Sequence, residues 1–565
     1  MASPGWSVVT RDVVTTLART LGAGDTVGRG SLGGYRRVAI GAGEPHLRRL
    51  DLVPEARAPS RRRSIAHLVH LTDTQLADVQ SPARIEFLDR HADRRALASL
   101  LPAYRPHEPF QAHALEATIR TLRAVPASAV TGAPVALAIS TGDAIDNQQW
   151  NELRWYLTLM RGGRVSTASG GSAFEGVQSV EWADEHYWHP DGYADVYAER
   201  WGFPAYPGAL EEALRAFDAT GLAMPWLACF GNHEGLIQGT SLPTDAVRSL
   251  ATGDRKPVRA PERFDVGLHV DRFVTEPEAY LSGPSRAVTP DPERALFSRR
   301  EFVEAHLAAG GSPLGHGFTS SNLAEGTTYY AYDDLPGVRF VVLDTTNPGG
   351  HYEGSIGTRQ ATWLEQRLAE VHATYLDPRG DVVRSGNPDR VVVVCSHHGL
   401  ETLTNDLAHA NPLEPGGEDP PRVLAPGVRE LLHRFPNVVL WLSGHTHEHH
   451  AIARPDPSGR TGGFWELSTG AIADWPVQSR LVELVDNGDG TLSIFGTLVD
   501  HAASPDPSDE DGRWRLAAIH REVAANDPHR GFDSIAAGEP ADRNVELVVR
   551  WSGGSVGASA RPAGD

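Results

Sequence analysis

Residues 438–447 read VVLWLSGHTH. The first five are apolar and rich in β-branched side chains, the composition of a strand buried on both faces. The run breaks at Ser443 and Gly444 and then delivers two histidines, His445 and His447, one residue apart. A glycine at such a break lets the backbone turn sharply, so both imidazoles can face one cavity. In open α/β sheets ligands gather at the carboxyl ends of strands, and cation-binding side chains at the end of a buried run are the local form of that rule.

Working outward, the same form recurs. Residues 65–71 (IAHLVHL) end in Thr72, Asp73, Thr74 and Gln75. Residues 134–139 end in Ser-Thr-Gly-Asp, with Asp143 last, and Asp146 and Asn147 follow. Residues 225–230 end in Gly231, Asn232, His233 and Glu234, and 390–395 end in Ser396, His397 and His398. A further run, 338–343, ends in a lone Asp344. Apolar residues at helical spacing occupy 111–125, between the runs 65–71 and 134–139, and 358–368, after the run 338–343. Strand, crossover helix, strand is the order of an α/β sheet. Later β-rich stretches are 463–468, 480–485, 492–498 and 545–551.

This organisation predicts a catalytic domain over 61–510. An N-terminal extension, 1–60, is Gly- and Arg-rich with one weak helical stretch at 13–21, and a C-terminal extension, 511–565, carries one strand. Two insertions, 151–220 (rich in Trp and Tyr) and 236–322 (rich in Pro, Arg and Gly), leave the ligand-bearing edge and are expected to shape the pocket mouth.

Composition narrows the substrate. The 565 residues carry 52 Lys and Arg against 72 Asp and Glu, a formal charge of −20. Screening confines the resulting repulsion to roughly 8 Å at physiological ionic strength, so a positive pocket can still take a small anion. A long nucleic acid would meet far more of the acidic surface. The two cysteines, Cys229 and Cys395, exclude a disulfide framework and read as core thiols. With no run of about 18 apolar residues, no membrane span is expected. The first residues lack a charged region followed by an apolar core, so a cytoplasmic location is expected. Oligomeric state is not legible.

Taken together, Asp-x-Gln, Gly-Asp-x-x-Asp, Gly-Asn-His-Glu, Ser-His-His and Gly-His-Thr-His resemble the calcineurin-like metallophosphoesterase family, in a variant with Gln in the first motif. The resemblance spans about 65–499 and implies a four-layer α/β/β/α sandwich with large insertions. It implies that Asp143 bridges two metal ions, that Asp73, Gln75 and His447 complete the first site, and that Asn232, His397 and His445 complete the second. His398 is the alternative to His397. It further implies that His233 acts on the phosphoryl or leaving-group oxygen.

The chemistry calls for these residue types independently. Two divalent ions clamp the oxygens of an in-line displacement and lower the pKa of a shared water, so hydroxide is available near neutral pH. The carboxylates of Asp73 and Asp143 leave about two positive charges uncompensated, and neutral His and Asn ligands preserve that excess. Gln75 stands where the family usually has His. With three oxygen donors and one imidazole, the first site leans to manganese or iron, with zinc as the other candidate. Asp146 stands where the purple acid branch has a tyrosine, so a tyrosinate-bound ferric ion is not expected. Asp146 and Asn147 are expected to orient ligands or loop amides.

His351 is a candidate for the pocket mouth. His449 and His450 read as solvated loop residues, and Trp475 as packing. The expected activity is hydrolysis of a small phosphomonoester or phosphodiester, such as a nucleotide. The alternatives are a nuclease or cyclic-nucleotide phosphodiesterase, to which the aromatic segment 155–201 would offer base stacking, and a non-catalytic metal-binding regulator.

Overall fold

A computed structural model describes residues 15–417 and 419–551. Two sheets form the centre. The first has seven strands in the order Leu47–Arg49, Val545–Arg550, Thr491–Asp500, Gln478–Asp486, Arg63–Leu71, Leu137–Ser140, Trp226–Ala228. The last three run parallel. The second has six, in the order Tyr330–Tyr332, Val338–Val342, Val391–Cys395, Val438–Ser443, Phe464–Ser468, His450–Arg454. Its four central strands are parallel and its two edge strands antiparallel.

Alternation along each strand explains the layers. Phe340, Val342, Val393, Cys395, Leu440 and Leu442 join one apolar cluster with Leu68, Ile139, Leu227 and Val482 of the first sheet. Their neighbours Val341, Val392, Val394 and Trp441 face the other way, into a cluster with Leu364 and Leu368 of helix Thr358–Ala369 and Val428 and Leu432 of helix Ala425–His433. Helices Gln111–Arg123 and Trp150–Arg161 add Leu115, Ile119, Leu153 and Tyr156 to the first sheet's cluster. Helix Gly512–Ala525 covers the former through Ala517 and Ala518 against Ala117. The result is α/β/β/α. The five side chains of Val391–Cys395 are all fully buried, and each such valine stabilises the fold by roughly 1.5–3 kcal/mol.

The terminal segments differ from expectation. Residues 15–21 form no helix. Arg19–Arg29 is a strand that pairs antiparallel with Gly34–Ala42, because its glycines and threonines carry little helix propensity. Residues 13 and 14 lie outside the described residues, as does the end of the C-terminal extension from 552. What is described of that extension belongs to the core. Val545–Arg550 sits inside the first sheet, between Thr491–Asp500 and Leu47–Arg49. Helix Gly512–Ala525 was unforeseen, since burial on nearly every side, including His520, Arg521 and Glu522, removes the amphipathic stripe that marks a surface helix. No helix among the described residues is long and apolar enough to cross a membrane. Both cysteines are buried and unpaired.

Candidate metal centre

The motif residues come from both sheets and converge. Arg63–Leu71, Leu137–Ser140 and Trp226–Ala228 carry Asp73, Gln75, Asp143, Asn232 and His233 just beyond their ends, while Val391–Cys395 and Val438–Ser443 carry His397, His445 and His447. Asp143 stands at the junction. Its Oδ2 lies 3.0 Å from His397 Nε2, 3.4 Å from Gln75 Nε2 and 3.8 Å from His233 Nε2. One carboxylate oxygen thus faces Gln75, His233 and His397 together. Asp73 Oδ1 lies 3.2 Å from His447 Nε2 and 4.0 Å from His397 Nε2. Its Oδ2 accepts from the backbone N–H of His445 (3.0 Å) and from Thr72 Oγ1 (2.7 Å).

These ends are strained into place. Asp73, Gln75, Asp143, His445 and His447 all have positive φ, from 37° to 69°. Non-glycine residues rarely adopt this conformation, which costs of order 1–3 kcal/mol where it is unsupported. Glu234 supplies support: its carboxylate accepts from the backbone N–H groups of Gly231 (2.7 Å), Asp143 (2.9 Å) and Ala144 (2.6 Å). Gly444 is required for another reason. A Cβ there would overlap Thr72 Oγ1 and Asp73 Oδ2. Gly444→Ala is therefore expected to displace Asp73, lower stability by about 1–3 kcal/mol and weaken metal binding, as read by thermal melts and metal titration.

Burial would raise the Asp73 carboxyl, but His447 and His397 more than offset it and hold it below its ordinary value. Asp143 is likewise lowered, by His397 and His233 against the same burial. His445 is pushed well down by burial and by the neighbouring His398 and His397. Paired anionic carboxylates among imidazoles are a donor set made for cations.

The donor atoms fit. Buried side-chain atoms are normally hydrogen-bonded, yet Gln75 Oε1 and Asn232 Oδ1 have no partner, and His397 Nε2 makes no well-aligned bond despite the nearby Asp143 oxygen. The Asn232 amide is oriented by its Nδ2, which donates to Gly239 O at 3.0 Å, so the oxygen is the free end. His397 Nδ1 lies 2.9 Å from Thr141 O, which only accepts, so Nδ1 carries a proton and Nε2 is the nitrogen turned toward Asp143. Asp73, Asp143 and His397 bring one ligand atom each within 4.8 Å of one another, as do His397, His398 and His445. Within the second trio His398 is the engaged member: Nδ1 lies 2.9 Å from Thr345 Oγ1 and Nε2 2.8 Å from Tyr352 O. Of the pair, His397 is therefore the one whose unbonded nitrogen faces Asp73 and Asp143.

The remaining candidates fall around this centre. His233 Nδ1 donates to Asp146 O at 2.6 Å, which turns Nε2 toward Gln75 and Asp143. The Asp146 carboxylate is taken by the buried Arg84, 2.5 Å away. Asn147 Oδ1 accepts from Gln238 N (2.9 Å) and orders a loop. His351 stacks on Tyr352 at 4.4 Å, one residue behind the mouth. Asp344 does not join the cluster; it pairs with Arg299 at 2.8 Å. His449 is not solvated: it is fully buried, 3.0 Å from Gln478 Oε1. Trp475 packs against Phe532.

A cleft of about 270 Å³ opens over the cluster, lined by Gln75, Asp143, Asn232, His233, His445 and His447. The second insertion contributes Gln238, Thr240 and Phe273 to its walls. No residue of 151–220 lines it, contrary to expectation: Tyr187, Trp188 and Tyr197 are buried against Tyr35, Tyr104, Phe203 and the helix residues Leu516 and Ile519. The faces of these three rings serve the core. In their place stand 98–103, together with Arg105 and Arg530. Sequence reading missed Glu234, whose motif was visible, and Arg84, Arg105, Asp474 and Arg530, which nothing local marks.

No family model matches the chain, and no curated protein does. Among solved structures, the chain is similar to a dimetal phosphatase from Danio rerio, with 12% identity and a TM-score of 0.35, over 78% of this chain and 100% of that one. It is also similar to a purple acid phosphatase from yellow lupin seeds, with 11% identity and a TM-score of 0.28, over 82% of this chain and 56% of that one.

Proposed function

We propose that this chain is a dinuclear-metal hydrolase of small phosphate esters. The observation that carries the reading is the convergence of Asp73, Gln75, Asp143, Asn232, His397, His445 and His447, from five strand ends, with the oxygens of Gln75 and Asn232 buried and unpartnered. Asp73, Gln75, Asp143 and His447 would hold one ion, and Asp143, Asn232, His397 and His445 the other. Manganese or iron suits the oxygen-rich first site, with zinc the other candidate. When bound, the ions supply charge neutralisation and an acidified water for attack on phosphorus.

The chain's own residues do the rest. His233, held by the Asp146 carbonyl, presents Nε2 to the cleft and is placed to hold a proton for the leaving-group oxygen. Burial of Asp73 and Asp143 keeps bulk water from screening their attraction for the cations. Arg530 lines the cleft beside His447, tethered through Nη1 to Thr446 O at 2.9 Å. A charge-assisted hydrogen bond contributes about 1.5–3 kcal/mol, so Arg530→Ala is expected to raise KM roughly tenfold or more while both metals still bind.

The test is hydrolysis of an aryl phosphate monoester and the corresponding diester by metal-stripped protein, with Mn²⁺, Fe²⁺, Zn²⁺ or Mg²⁺ added back separately. Metal-restored turnover supports the reading, and the monoester-to-diester ratio separates a phosphatase from a phosphodiesterase. Two bound ions with no turnover of either ester would favour the non-catalytic alternative.

A further inference from the structure

We propose that Asp474 is a positioning residue for the first metal site, acting through His447, and that Arg105 locks Asp474 in place. This rests on the dinuclear reading above. Asp474 lies 27 residues beyond His447, in the turn Ala-Asp-Trp-Pro, and belongs to none of the five motifs.

His447 Nδ1 lies 2.5 Å from Asp474 Oδ2. A carboxylate accepts only, so Nδ1 carries a proton and Nε2 is the nitrogen turned toward Asp73, 3.2 Å away. A carboxylate behind a ligating imidazole fixes its tautomer and ring plane and makes it a stronger donor. Asp474 in turn is held from behind. Arg105 Nε forms an ion pair with its Oδ1 at 2.8 Å, with no aligned hydrogen bond, and all three side chains are buried, at 2–10% exposure. His107 Nε2 donates to the neighbouring Ala473 O at 2.7 Å.

The turn is also tied to a second ligand of the site, Asp73. Ala473 N donates to Asp73 O at 2.9 Å and Ile472 N to Thr72 O at 3.2 Å. The segment that carries Asp474 is therefore in backbone register with the segment that carries Asp73. One turn thus aligns two ligands of the first site, His447 by its side chain and Asp73 by its backbone. Asn232 and His397 of the second site have no bond to it.

This asymmetry makes the proposal testable without turnover. The metal-stripped full-length protein is titrated with Mn²⁺ by calorimetry, as wild type, Asp474→Asn and Arg105→Gln, with a thermal melt of each. Asp474→Asn is expected to weaken one of the two sites about 10–100-fold and leave the other unchanged, with Arg105→Gln showing a smaller loss at the same site. Excess Mn²⁺ is then expected to restore turnover of the aryl ester. Two unchanged sites in Asp474→Asn, or both sites weakened equally alongside a lowered Tm, would overturn the proposal. If Asp474→Asn does not fold, Arg105→Gln alone decides on the same criterion. A wild type that binds no second ion would overturn the dinuclear reading itself and this proposal with it.

Discussion

Asp143→Asn is expected to leave a folded protein that turns over phosphate esters at least about a thousandfold more slowly. Its Oδ2 is the one carboxylate oxygen that faces Gln75, His233 and His397 together, so the substitution removes the charge shared by both sites. Charge stabilisation by bound ions is worth several kcal/mol at the transition state, and each 1.4 kcal/mol is a factor of ten in rate. The fold should tolerate the change. The bonds that Glu234 accepts from Gly231, Ala144 and the substituted position all come from backbone N–H groups, which the substitution leaves in place, and the two side chains are nearly isosteric. Circular dichroism with kcat measured across a metal series checks both halves of the expectation.

The second large effect separates two adjacent histidines. His397→Ala removes the unpaired Nε2 facing Asp143 and is expected to abolish one metal site and cut turnover roughly a hundredfold or more, the effect of several kcal/mol at a metal. His398→Ala instead breaks bonds to Thr345 and Tyr352. It is expected to lower stability by about 1–3 kcal/mol while both ions still bind. Metal content per chain, measured beside the thermal melt, distinguishes them. Retention of two ions by His397→Ala with loss of one by His398→Ala would reverse the assignment.

The sequence made the centre legible for a physical reason. Strands buried on both faces need continuous apolar runs, and their abrupt ends expose the ligands. VVVVC before Ser396 and VVLWL before Ser443 could hardly be read otherwise. Asp143 and Gly444 gained meaning from their neighbours within a few positions. Which of His397 and His398 turns inward was not legible, because it depends on Thr141, Thr345 and Tyr352, which lie far away in sequence. Asp474 and Arg530 escaped for the same reason. The roles proposed for them rest on contacts across the fold, and a lone Asp in a turn or Arg in a loop carries no period or spacing. The aromatic segment misled because Trp and Tyr serve cores and binding faces alike, and only packing tells which.

Asp73, Gln75, Asp143, Asn232, His397, His445 and His447 are proposed to hold two ions that enable hydrolysis. The most direct measurement is turnover of an aryl phosphate diester by metal-stripped protein as Mn²⁺ is added in fractional equivalents. Negligible rate is expected without metal, with a rise that levels off at two equivalents per chain and no such rise in Asp143→Asn. Full turnover without metal, or a plateau at one equivalent, would contradict the proposal.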